Sequence, residues 1–216
     1  MFATRRTLLL TAAAAAFLAA CQKADSAPSN STDMTIGAAD APLHLIEYAS
    51  ATCPHCAEFH ETVWPLLKQH YIDTGKVRFT FREMATPPAP VAVAMFQLAR
   101  CGGADASTYL TRVGVLLQQQ RNVLSGGTMQ SVRDALVNIG RAANLSEEQV
   151  MACITDEAGA ERVRRSAEEA SERFGVTGTP TFILDGTRVD DPAVTTWDGM
   201  KRVLDAKLGA PGGAKG

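Results

Sequence analysis

The sequence predicts an α/β fold in which two strand-bearing parts flank a long helical stretch. Three observations carry this. Residues 43–49 (LHLIEYA) are an apolar run ending at small polar residues, and residues 76–82 alternate Val77, Phe79 and Phe81, so both read as strands. Between them Phe59, Val63, Leu66 and Leu67 fall on one side of a helical pattern, and strand, helix, strand favours a right-handed parallel crossover. Residues of about 88–160 read as helical throughout, and strand character returns at residues 181–184.

Length and composition agree with one enlarged domain. At roughly 150 residues per domain, 216 residues make one domain with an insertion. Hydrophobic residues at 46% and charged residues at 20% exclude a disordered or collagen-like chain. A net charge of −2 offers nucleic acid no basic footprint.

Arg5 and Arg6 precede an apolar run over residues 8–20, shorter than the roughly 20 residues of a comfortable membrane span; residues 1–20 read as a signal peptide. Leu18-Ala19-Ala20-Cys21 resembles the bacterial lipobox, which implies lipidation of Cys21 and a mature chain anchored to a membrane by its acyl chains. The other reading is an ordinary cleaved signal before a chance cysteine. Residues 4–9 (TRRTLL) resemble a twin-arginine signal, and the choice of export route stays open. Either route leads out of the cytosol, where disulfides persist. Removing residues 1–20 takes away two arginines and no acid, moving the net charge from −2 to −4, so lipid alone would hold the protein to a membrane.

Residues 21–35, rich in Ser, Ala, Asp and Asn, read as a flexible tether, and residues 209–216 (GAPGGAKG) as a disordered tail. The first helix should run to about Tyr71 with a kink at Pro65. Thr86-Pro87-Pro88 breaks the pattern. Helical spacing then links Tyr109, Val113, Leu116 and Leu117, and again Val132, Leu136 and Ile139; Ser146 to Gln149 form a capping box. A long helix carries Val163, Ala167, Ala170 and Phe174 on its core face and stops at Gly175, with Glu161, Arg165 and Glu169 on a solvated face. Asp185-Gly186 turns into a short strand at 187–189, and a last helix covers about 196–208.

Cys53 and Cys56, two residues apart where a strand meets a helix, carry the chemistry. Cys-x-x-Cys beside a βαβ pattern is a dithiol redox signature, because the first helical turn brings two sulfurs within bonding reach. Cys53 would cap the helix and face its free N–H groups and positive dipole end; Pro54 suits the first helical position; His55, if protonated, adds positive charge. Each effect stabilises the Cys53 thiolate, leaving Cys56 as the deeper, resolving thiol. Zinc would need four ligands, and no second Cys-x-x-Cys or spaced His pair supplies them, so no metal is expected; His60, four residues after Cys56, reads as a helix-face residue.

Cys53-Pro54-His55-Cys56 after a strand, then a helical stretch, then Gly178-Thr179-Pro180-Thr181-Phe182 before a strand, together resemble the DsbA-like thiol:disulfide oxidoreductases of the thioredoxin superfamily, over about residues 36–208. The resemblance implies a thioredoxin fold interrupted by an inserted all-helical domain, with residues 36–86 and 161–208 as its two parts and 87–160 as the insertion. It implies that Cys53 is the nucleophile and Cys56 the resolving thiol, with Pro54 and His55 the dipeptide of strongly oxidising members. Pro180 matches the cis-proline that faces the disulfide, Thr179 the residue before it, and Glu47 a buried acid able to relay protons rather than a solvent-facing one. No dissociable cofactor is implied. The implied partners are reduced or unfolded exported proteins and a membrane reoxidase of the DsbB type; the implied location is the periplasmic side of a bacterial membrane.

Thr179 stands where some strong oxidases carry valine, which leaves the balance of oxidation and isomerisation open. Cys101 and Cys153, 52 residues apart, fit no metal motif and are read as a structural disulfide, the alternative being two buried thiols. Dedicated isomerases carry a long dimerisation segment; only about 21 residues separate Cys21 from the first strand, which favours a monomeric oxidase. The competing functions are an isomerase, a reductase of specific partners, and a lipoprotein that uses the fold only for binding.

Overall fold

The structure, a computed structural model, describes residues 33–209. The signal peptide, Cys21, the rest of the chain before Asp33 and residues 210–216 lie outside the described residues. Five strands of the described chain form one sheet in the order β1 (Met34–Ile36), β3 (Val77–Glu83), β2 (Leu43–Ala49), β4 (Thr181–Leu184) and β5 (Thr187–Arg188). The central pair, β2 and β3, is parallel, with Leu45 opposite Phe79 and Glu47 opposite Phe81; the other pairs are antiparallel. The β4–β5 turn is Asp185-Gly186, both at positive φ (49° and 81°), the geometry a two-residue hairpin needs.

Two expected boundaries move. The tether drawn to residue 35 ends sooner, because Met34–Ile36 pairs with Phe79–Phe81 as β1 and Asp33 accepts hydrogen bonds from Arg82 at 2.8 and 3.1 Å. The tail drawn from residue 209 begins later, since Gly209 closes the last helix.

Side chains alternate across β2 as its pleat requires. Leu43, Leu45 and Ala49 join the main core, while Ile46 and Tyr48 face the opposite side, where Ala170, Val176 and Ile183 cover them. The crossover from β2 to β3 is α1 (Pro54–Thr62), α2 (Trp64–Leu67) and a wider π-helical turn over Lys68–Ile72. The break falls at Val63, two residues before Pro65, because proline has no N–H and its ring crowds the carbonyl four residues earlier.

Five helices follow β3: α3 (Ala89–Arg100), α4 (Ala106–Gln118), α5 (Gln120–Ser125), α6 (Met129–Ala142) and α7 (Glu147–Ile154). Asp105, Thr128 and Ser146 cap α4, α6 and α7 with their own side chains. Cys101 and Cys153 are bonded, joining the end of α3 to α7. The long helix α8 (Glu157–Phe174) begins within the stretch expected to close the insertion, because Asp156 accepts from the N–H groups of Ala158 and Gly159; Gly175, at φ 60°, ends it. Glu83, buried at the end of β3, accepts from Arg100, Tyr109 and Arg162 and so ties α3, α4 and α8 to the sheet. The chain ends on α9 (Trp197–Gly209), whose Met200 and Leu204 complete the core. Among the described residues no helix is long and apolar enough to cross a membrane.

Candidate active site

Strand β2 delivers the chain to a short turn, and Cys53 stands at the N-cap of α1 with extended backbone (φ −85°, ψ 121°) and Pro54 in the first helical turn. Three hydroxyls hold the turn. The Thr52 hydroxyl donates to the Thr86 carbonyl at 2.9 Å, and the Ser50 hydroxyl accepts from the Thr86 backbone N–H at 3.1 Å and from its side-chain hydroxyl at 2.8 Å. Both cysteines are free thiols in this structure and both are buried, Cys56 completely.

Their environments are opposed. Cys53 is held well below the ordinary thiol range, at about 5. A hydrogen bond from Cys56 is the largest cause; partial burial opposes it; Thr179 and the backbone N–H groups of Cys56 and His55 lower it further. The Cys56 thiol is pushed far up by burial first, then by its hydrogen bond to Cys53 and the nearby Glu47 carboxyl, against a 3.4 Å hydrogen bond from the Ser50 N–H. One sulfur is thus a ready anion and the other a reluctant one. His55 acts through its backbone; its imidazole is 77% exposed and lies 3.8 Å from Glu58.

The Thr179–Pro180 peptide is cis and crosses in front of Cys53. The Cys53 thiol donates to the Thr179 carbonyl at 3.2 Å. The Thr179 hydroxyl is buried with no hydrogen-bond partner among the described residues. It is nevertheless one of the groups that favour the Cys53 anion, so a thiolate at this position has a donor waiting.

Glu47 is fully buried at the middle of β2, on the face toward α1, and His60 reaches it from α1. The imidazole faces inward, stacked on Trp64 at 5.3 Å between centroids; its Nδ1 is buried without a hydrogen-bond partner among the described residues. Read as a helix-face residue, His60 is instead part of the interior beneath the cysteines. Its spacing from Cys56, one turn along the same face, was the available signal. Gln120 gave no such signal: from α5 its side-chain amide donates to the carbonyls of Ala51 and Cys53. A groove of about 1000 Å³ opens between α1 and α4, walled by Pro54, Ala57, Trp64, Leu110 and Val115. A smaller one of about 230 Å³ runs beside Pro180, along Phe182, Val189 and Pro192. Among the described residues no three His, Cys, Asp or Glu side chains are placed to hold a metal ion.

The thioredoxin family profile matches residues 29–206. A protein of Rickettsia typhi, provisionally named a protein-disulfide oxidoreductase, is 29% identical over 179 residues, which cover 83% of this chain and 63% of that one. The chain therefore spans less than two thirds of that relative's length. Among solved structures, alpha-DsbA1 of Wolbachia pipientis superposes with a TM-score of 0.70 at 25% identity, covering 83% of this chain and 92% of that one. DsbA of Chlamydia trachomatis superposes with a TM-score of 0.69 at 22% identity, over 85% and 96% of the two chains, a likeness of fold. Since the profile takes in both halves of the sheet and the helices between them, and the superposed proteins share that arrangement, the chain belongs to the thioredoxin family and is a DsbA-like member of it.

Proposed function

We propose that the protein is a thiol:disulfide oxidoreductase that donates a Cys53–Cys56 disulfide to reduced, exported proteins. The observation that carries this is the opposition between the two sulfurs, Cys53 at about 5 and Cys56 far above its ordinary value. In the oxidised enzyme a substrate thiolate attacks the sulfur of Cys53. The Cys53–Cys56 bond breaks, and Cys56 leaves and takes up a proton, which its raised affinity favours. The mixed disulfide lies beside Pro180, where extended substrate backbone can lie against the chain. The substrate's second thiolate then attacks its own sulfur in that bond and displaces Cys53. The substrate has lost two electrons and the enzyme has become the dithiol.

Cys53 is the better leaving group in the second step because its thiolate is stable. About two pH units below neutrality, it is ionised in all but roughly one molecule in a hundred at pH 7. Stabilising the reduced form makes the disulfide a stronger oxidant. Glu47, with His60 behind it, is the group assigned to the Cys56 proton. The cycle closes when a membrane oxidase of the DsbB type removes the two electrons again. We further propose that the enzyme works as a monomer on the periplasmic side, held to the membrane through lipid on Cys21. Thr179, by its likeness to isomerase-type members, leaves disulfide isomerisation as the second reading.

Oxidised protein mixed with a reduced, unfolded dithiol substrate should oxidise it in one-to-one stoichiometry and lose activity in Cys53→Ser. A redox titration against glutathione should give a potential well above that of thioredoxin, about −270 mV. A value near thioredoxin's would overturn the donor assignment, and refolding of a scrambled substrate would expose isomerase activity.

A further inference from the structure

Gln120 opens α5 inside the helical insertion, 67 residues after Cys53, yet it is buried against the active-site turn. Its Nε2 donates to the Ala51 carbonyl at 2.8 Å and to the Cys53 carbonyl at 3.0 Å. Two carbonyl oxygens can be met only by a donor, so chemistry fixes which end of the amide faces the turn. The Cys53 carbonyl also accepts the helical N–H of Ala57 at 3.2 Å, so this peptide is gripped by its own helix on one side and by the insertion on the other.

We propose that Gln120 is a positioning residue through which the helical insertion fixes the turn that presents Cys53. The proposal deepens the exchange reading above and rests on it for its consequence. The need for such a grip comes from the N-cap itself. The helices α4, α6, α7 and α8 are capped by side-chain oxygens of Asp105, Thr128, Ser146 and Asp156. Cys53 makes no capping hydrogen bond, so its side chain does not pin the entry to α1. The N–H groups of His55 and Cys56, which favour the Cys53 anion without capping the thiol, ride on that entry. Hydrogen bonds weaken steeply with misalignment, so a turn free to shift would present them poorly.

The test is Gln120→Met, which keeps the chain length and removes both donors, with Gln120→Asn as the second variant should the first fail to fold. In the reduced protein, thiolate absorbance against pH should show the Cys53 midpoint rising by roughly half a unit or more, about a threefold change in proton affinity. The exchange equilibrium with glutathione should move toward the enzyme disulfide by a matching factor. An unchanged midpoint, with oxidised and reduced forms destabilised equally, would show the amide to be packing alone and overturn the proposal. Should the unaltered protein exchange no disulfides at all, the functional reading fails, while the comparison of midpoints still decides the role of Gln120.

Discussion

The Nε2 of His60 lies 3.0 and 3.2 Å from the two carboxyl oxygens of Glu47, and the side chains are 4% and 0% exposed. A helix residue and a central-strand residue thereby meet in the interior, where the Glu47 carboxyl is near enough to Cys56 to help raise its thiol. His60→Phe keeps the stacking on Trp64 and leaves a fully buried carboxyl without its partner, at a cost of roughly 1–3 kcal/mol in denaturant unfolding. Adding Glu47→Leu removes the stranded group, so the double variant should lose clearly less than the sum of the single losses. Additive losses would mean that the two side chains are not coupled.

The lowered Cys53 makes stability depend on pH in the reduced form alone. Its affinity for protons falls from about 9 in an ordinary chain to about 5 when folded, so the contribution is complete above pH 9, shrinks as the pH falls, and is gone below about 5. Cys56 moves the other way and opposes folding only above about pH 9. Unfolding of both redox forms between pH 5 and 8 should therefore show the reduced form gaining on the oxidised one as the pH rises. A gap that stays constant over that range would be incompatible with a Cys53 thiolate.

What the sequence made legible was local. Cys53, Cys56 and Pro180 announce themselves by motif, and β2, β3 and β4 by apolar patterns that need no partner to be recognised. Strand β1 did not: Met34, Thr35 and Ile36 follow a polar stretch, and only the open edge of β3 makes a strand of them. His60 could be placed on the helix face of Cys56, but spacing names a face and not the carboxyl 13 residues upstream. Gln120 is the last of three consecutive glutamines, and only the return of the insertion over the turn distinguishes it from its neighbours.

The Cys101–Cys153 disulfide closes a loop of 52 residues within the insertion. In the chain-entropy model such a crosslink restricts the unfolded chain by up to about 4 kcal/mol. Replacing both cysteines by serine should lower the denaturation midpoint by a cost of that order or less. The bond joins α3 to α7 rather than touching the turn that bears Cys53, so thiolate absorbance should still show the Cys53 midpoint at about 5. A changed midpoint would reveal that the disulfide bears on the site.

Thr179 offers the thiol and the thiolate different atoms. Its carbonyl accepts from protonated Cys53, and its buried hydroxyl, unpaired in this state, favours the anion. Thr179→Val keeps the carbonyl and the shape of the side chain while deleting that donor. A hydrogen bond to a charged group contributes about 1.5–3 kcal/mol at most, and less here because the hydroxyl, which has no partner beside the thiol, must turn to reach the sulfur. The net effect should be a rise in the Cys53 midpoint of roughly 0.5–1 unit, equal to a loss of about threefold to tenfold in preference for the anion. The exchange constant with glutathione should shift toward the enzyme disulfide by the same factor, because the oxidised form has no thiolate for the hydroxyl to meet. If the midpoint stays in place while the exchange constant moves, the Thr179 hydroxyl acts on the oxidised form and not on the thiolate.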